Sequence, residues 1–101
     1  MKTLGTHNYF VYILTNKNKT VLYIGVTNNL KERLYYHRHP PISFKSFTSK
    51  YNCFYLIYFE DFRDIETAIQ REKQIKGYSR SKKESLIHKE NKDWNFLNDT
   101  V

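Results

Sequence analysis

Residues 9–38 read YFVYILTNKNKTVLYIGVTNNLKERLYYHR. Phe10 to Leu14 and Val21 to Val26 are β-branched and aromatic runs, and the segment between them, Thr15 to Thr20, holds only turn formers and charge. This is the pattern of a β-hairpin. If Thr15 faces Thr20, Tyr12 falls directly opposite Tyr23, and two phenols sit side by side on one face of the sheet. After Gly25 the period changes. Asn28 is a good N-cap and Leu30 and Leu34 recur at i, i+4, which predicts a helix over about Asn29 to Arg38. Arg33 and His37 make a second i, i+4 pair beside the leucine stripe, where a side chain can lean over the sheet. Singly, paired tyrosines are ordinary cross-strand packing and a helix arginine is an ordinary solvated charge; together they invite a joint explanation.

Working outward, His39-Pro40-Pro41 stops the helix, because proline lacks the donor and constrains the residue before it. Residues 42–52 read as a long loop in which Phe44, Phe47 and Tyr51 alternate with Lys45 and Lys50. Such a loop either holds phosphates while stacking on bases or tucks its aromatics under the core. Cys53 to Glu60, CFYLIYFE, is nearly unbroken in its apolar character, as expected of a central strand buried on both faces.

Asp64 then caps a helix through about Lys76, with Glu66 in its first turn and Gly77 placed as a left-handed C-terminal residue. Ile65, Ala68, Ile69 and Ile75 mark its buried stripe, and Glu72 falls inside that stripe. Desolvating an unpaired charge is costly, so Glu72 needs a cation, an arginine partner or the mouth of a cleft. A structural salt bridge is the simplest answer. Glu66 points away from the stripe. Ser81-Lys82-Lys83-Glu84 is a capping-box pattern that starts a short helix with Leu86 and Ile87 inward. Arg80, Lys82 and Lys83 cluster there as a solvated face or as a phosphate cradle. Trp94 and Leu97 are expected to pack on the core.

The 101 residues are enough for one domain, 1–101, of α/β class in its α+β form. The expected architecture is a small three-stranded mixed or antiparallel sheet flanked by helices, in the order β-β-α-β-α-α. Lysine and arginine outnumber acids 17 to 10, a net charge of +7, and nine tyrosines and seven phenylalanines accompany them. A basic, aromatic-rich domain points to a polyanion, although solubilising lysines give the same balance. Cys53 is the only cysteine, which excludes an internal disulfide and a cysteine-based zinc site. The first residues have no apolar core of signal-peptide length and no segment is apolar enough to span a bilayer, so a cytoplasmic protein without a membrane partner is expected.

Phe10-Val11-Tyr12, then Tyr23-Ile24-Gly25, then Asn29-Leu30, Arg33-Leu34 and His37 together resemble the GIY-YIG nuclease family. Phe10-Val11 replaces Gly-Ile at backbone and packing positions. Phe47-Thr48-Ser49-Lys50-Tyr51 and Glu72-Lys73-Gln74-Ile75-Lys76-Gly77 are similar to phrases of the family's small single-domain branch, which is akin to the N-terminal domain of an excinuclease. Asn91, Trp94 and Leu97 resemble its closing segment. The resemblance implies a metal-dependent endonuclease that hydrolyses phosphodiester bonds in DNA, with repair or processing of structured DNA as its setting. It implies Tyr12, Tyr23, Arg33, His37 and Glu72 as catalytic residues, Glu72 as the ligand of Mg2+ or Mn2+, and Asn91 as an additional site residue.

One carboxylate suits magnesium, which keeps several waters and takes phosphate oxygens as further ligands. Arg33 would brace the phosphorus, and one tyrosine would activate water with help from nearby positive charge, including that of His37. Tyr12 is favoured as base and Tyr23 as its partner, an assignment the residues leave exchangeable. Lys31, Arg38, Lys45, Lys50, Arg80, Lys82 and Lys83 are the expected nucleic-acid contacts, and no small-molecule cofactor is implied. The rival reading is a non-catalytic nucleic-acid-binding module of the same fold.

Overall fold

The side chain of Asn16 sets the first hairpin. The computed structural model describes residues 8–39 and 50–101, and in it β1 (Tyr9–Thr15) pairs antiparallel with β2 (Leu22–Thr27). Asn16 Oδ1 accepts from the Thr20 and Val21 amides at 2.8 and 3.1 Å, while its Nδ2 donates to Thr20 Oγ1 at 2.8 Å. Lys19, at φ 61°, closes the turn by donating its N–H to the Asn16 carbonyl. Thr20 is thus held inside the loop and Thr15 faces Leu22 instead. The register differs from the expected one by two residues: Tyr12 lies opposite Gly25 and Tyr23 opposite Leu14. A two-residue slip preserves the face of every side chain, so the two tyrosines remain on one side, as diagonal neighbours.

β3 (Tyr55–Phe62) also pairs antiparallel with β1, giving the strand order β2-β1-β3. It is therefore an edge strand, contrary to the expectation from its apolar run. Its outer edge is covered by the C-terminal segment: the Leu97 amide donates to Leu56 O at 2.6 Å, and Asn98 accepts from Leu56 N and donates to Phe54 O, each at 2.9 Å. Covering removes the hazard of an apolar edge and explains why it reads as central. An irregularity at Ile13/Leu14 also places consecutive residues Ile57 and Tyr58 in one core cluster.

The sheet separates two packed layers. On one face α1 (Leu30–Arg38) sets Leu30 and Leu34 against Tyr12, Leu14, Cys53 and Leu56. Its N-cap is Asn29, which accepts from Glu32 N at 3.0 Å, one residue later than expected. On the other face, Ala68 and Ile75 of α2 (Ile65–Lys76) and Ile87 of α3 (Arg80–Glu90) pack on Val11, Ile13, Ile24 and Ile57. The mixed α+β class and the order β-β-α-β-α-α hold.

Three helix-end details differ from expectation. Ile65 is exposed at the start of α2. Gly77 is right-handed, at φ −79°, because its amide folds back onto the Lys73 and Gln74 carbonyls. The cap of α3 is Ser79, whose Oγ accepts from Lys82 N at 3.2 Å, so Ser81 already lies inside the helix. Residues 42–49 of the aromatic and basic loop, with Phe44, Lys45 and Phe47, lie outside the described residues.

Candidate active site

β1, β2 and α1 bring three of the expected side chains into direct contact. Tyr12 projects from the central strand toward α1, and the absence of a side chain at Gly25 makes room for its ring: a Cβ there would stand 2.5 Å from Tyr12 Oη. The fully buried phenol is hydrogen-bonded to His37 Nε2 at 2.9 Å, and Arg33 Nη1 donates to its oxygen at 3.4 Å. One turn of helix separates Arg33 from His37, so α1 presents both to the same hydroxyl. Tyr23, half-buried, completes a triangle of rings with centroids 6.3 Å from Tyr12 and 5.6 Å from His37.

The electrostatics of this group follow from its burial. Tyr12 is held well above the usual phenol range, first by desolvation and then by Tyr23, with Arg33 opposing and the Glu72 charge adding to the rise. His37 is pushed down to about 4 by burial and by the Arg33 guanidinium. At neutral pH the imidazole is uncharged. This corrects the expectation that His37 contributes positive charge; in the tautomer protonated on Nδ1 its Nε2 accepts from the phenol O–H.

Glu72 occupies the buried face of α2, one turn after Ala68, and its side chain is 14% exposed. It is near enough to act on Tyr12 electrostatically although α2 packs on the other face of the sheet. Its ion-pair partner is Lys76, at 2.9 Å and 54% exposed. Such i, i+4 pairs contribute about 0.3–0.5 kcal/mol, too little to account for a half-sunk carboxylate. Arg71 is not its partner, being forked onto Glu60 at 2.8–2.9 Å. Among the described residues no group of three or more His, Cys, Asp or Glu is arranged to hold an ion.

The remaining residues sort differently. Asn91 is buried with its amide spent inside the fold, donating to the Ile57 and Asn95 carbonyls and accepting from Asn95 N. It braces β3 and does not join the site. Arg80 is likewise committed, to Glu84 and to the carbonyls of Lys19 and Thr20, and locks α3 onto the hairpin loop. Lys82 lies over the Tyr78 ring, Lys50 over Tyr51, and Lys31 is exposed on α1; Lys83 is partly buried. Gly25 is the functional position that residue-by-residue reading passed over. Its signal was present in the Tyr-Ile-Gly run.

A family model for the GIY-YIG catalytic domain matches residues 8–85. The chain belongs to the GIY-YIG family. Among relatives of this GIY-YIG chain, a UPF0213 protein of Natronomonas pharaonis is 34% identical over 80 residues, 79% of this chain and 91% of that one. The solution NMR structure of a UPF0213 protein from Bacillus halodurans superposes with a TM-score of 0.56 at 26% identity, covering 93% of this chain and 94% of that one. Both are small proteins matched over nearly their whole length. The family's nuclease character implies a nucleic-acid substrate.

Proposed function

We propose that this GIY-YIG protein is a divalent-metal-dependent endonuclease acting on DNA. The observation that carries the reading is the Arg33–Tyr12–His37 chain, in which one hydroxyl faces both a cation and a neutral base. A buried phenol needs one hydrogen-bond partner for structural reasons alone; a cation and an uncharged base on the same hydroxyl exceed that need. A buried phenol beside an arginine and an uncharged imidazole is arranged to pass a proton on.

In this reading the attacking water gives its proton to Tyr12 as Tyr12 gives its own to His37, so no free phenolate forms. The concerted transfer answers the raised pKa of Tyr12, which rules out a resting phenolate at neutral pH. Because Tyr12 is shut from solvent, water and phosphate approach it past the half-buried Tyr23, which orders them. Arg33 offers a second guanidinium edge to the phosphate oxygens and stabilises charge as the fifth bond forms.

Glu72 would hold the metal. A single partly buried carboxylate with an exposed, displaceable lysine fits Mg2+ or Mn2+, which keep waters and accept phosphate oxygens, better than ions that need several nitrogen or sulfur ligands. When bound, the ion supplies a Lewis acid at the leaving oxygen. Repair or processing of structured DNA is the setting proposed for this activity.

The test is cleavage of labelled single-stranded, duplex, flapped and branched DNAs with Mg2+ or Mn2+, comparing wild type with Glu72→Gln while binding is followed separately. Metal-dependent cutting that is lost in the variant with binding retained is the expected result. No cutting of any substrate, with equal binding by both proteins, would replace this reading with the non-catalytic binding module.

A further inference from the structure

Beside the active site, on the next face of α1, a cleft of about 540 Å³ opens between that helix and the C-terminal segment. One wall is Tyr35, stacked on His39 at 4.5 Å between ring centroids and 24° between planes. The other is Phe96, stacked on Tyr55 at 4.3 Å and 21° and with the Lys19 ammonium 5.2 Å from its centroid. Between them Arg38 lies with its guanidinium over the rings of Phe54 and Tyr55, 5.4 and 5.5 Å from their centroids, and Lys31 stands at the rim. Tyr35 is 61% exposed and Phe96 41%. Tyr35 leaves much of its ring in solvent, and cations lie over the Phe54, Tyr55 and Phe96 rings around it.

We propose that this cleft binds one unpaired nucleotide of a nucleic-acid strand that runs on from the active site. The base stacks on the exposed Tyr35 ring with the Phe96 edge bounding the cleft, and its phosphate is taken by Arg38 and Lys31. The volume lies within the range of small-ligand pockets. An exposed aromatic ring beside cations matches the face of a base, and that face is open only where the base is unpaired. Asp99, also lining the cleft, offers an acceptor to an exocyclic amino group. Arg33 and His37 belong to the same helix, with Arg38 following His37 directly, so a strand whose phosphate rests on Arg33 continues toward the cleft. The assignment rests on the nuclease reading and adds to it a preference: single strands, or duplexes with a single-stranded flap, over uninterrupted duplex.

The experiment uses wild-type protein in EDTA, where cutting does not interfere, and fluorescence anisotropy with a labelled 12-nucleotide oligodeoxycytidylate, whose bases carry an exocyclic amino group, and a 12-base-pair duplex. Tyr35→Ala and Phe96→Ala, both at exposed positions and checked by thermal melting, are each expected to weaken single-strand binding about 5- to 100-fold. Duplex affinity should change less than twofold, and Tyr35→Trp should retain wild-type binding. Arg38→Ala should weaken both and lower the salt slope by about one. Unchanged single-strand affinity in both alanine variants, or equal losses on duplex and single strand, would overturn the assignment. So would a change in oligomeric state in place of a change in binding, which would make the cleft a protein contact. Cutting is scored separately with Mg2+: an inactive wild type whose single-strand binding still depends on Tyr35 and Phe96 would sink the nuclease reading and support the cleft.

Discussion

Replacing Gly25 by alanine would put a methyl carbon 2.5 Å from Oη, 2.6 Å from Cζ and 3.0 Å from Cε2 of Tyr12. Ordinary carbon contacts lie near 3.5–4.0 Å, so the ring must retreat by about 1 Å. It cannot do so freely, because its hydroxyl is held by His37 at 2.9 Å and by Arg33 and the ring is fully buried. Overpacking of this kind costs about 1–3 kcal/mol, which for a domain of this size lowers the melting temperature by about 5–20 °C. Circular dichroism melts of Gly25→Ala, Tyr12→Ala and the double variant check the cause. In the Tyr12→Ala background the ring is gone, and alanine at 25 should be neutral or stabilising by up to about 1 kcal/mol, since glycine disfavours strand interiors. An equal loss in both backgrounds would refute the claim that Gly25 exists to admit the phenol.

Three further outcomes are expected. His37 titrates near 4 in the folded chain against about 6.5 unfolded, so the unfolded chain binds the extra proton and stability, complete above pH 6.5, falls as pH drops toward 4; the gap corresponds to at most about 3 kcal/mol, reduced to about 1–2 by partial exposure of the ring, and urea melts of His37→Gln should show a correspondingly flatter profile in that window. Asn91→Ala should cost about 2–3 kcal/mol in urea melts by orphaning the buried Ile57 carbonyl, yet leave the single-turnover cleavage rate within twofold well below the melt, whereas a larger loss would return Asn91 to the site. Lys76→Ala, which strips Glu72 of an exposed partner, should change stability by less than about 0.5 kcal/mol and retain metal-dependent cutting.

The parity of the hairpin was legible because side chains alternate strictly along a strand. Placing Tyr12 and Tyr23 on one face needs only that parity, so it survived the two-residue error in register. The error came from Asn16, whose amide binds three groups of the loop and keeps Thr20 out of the ladder. Composition marks that segment as a turn without saying how the turn is satisfied. Glu72 was legible for a similar reason, as a charge at an apolar position of a 3.6-residue period. The place of β3 was not: its apolar run reports burial, and burial came from a C-terminal segment folding over the sheet edge, a contact between distant parts of the chain. Asn91 came to the candidate site through the family resemblance alone, which does not reveal that its amide is spent on the Ile57 and Asn95 carbonyls. The protonation of His37 was out of reach as well. It depends on desolvation and on the distance to Arg33, and spacing along a helix gives neither.

The central claim is that Tyr12 and His37 act as one proton-transfer unit, and single-turnover cleavage of the best DNA substrate with saturating Mg2+ tests it most directly. Wild type, Tyr12→Phe, His37→Gln and the double variant should be compared at neutral pH, with substrate binding measured in parallel. Each single change is expected to slow cleavage about 10²- to 10⁴-fold, with the double variant no slower than the more damaged single one, because groups that act together are lost together. Multiplying losses in the double variant, or a His37→Gln protein that cuts at the wild-type rate, would contradict the account.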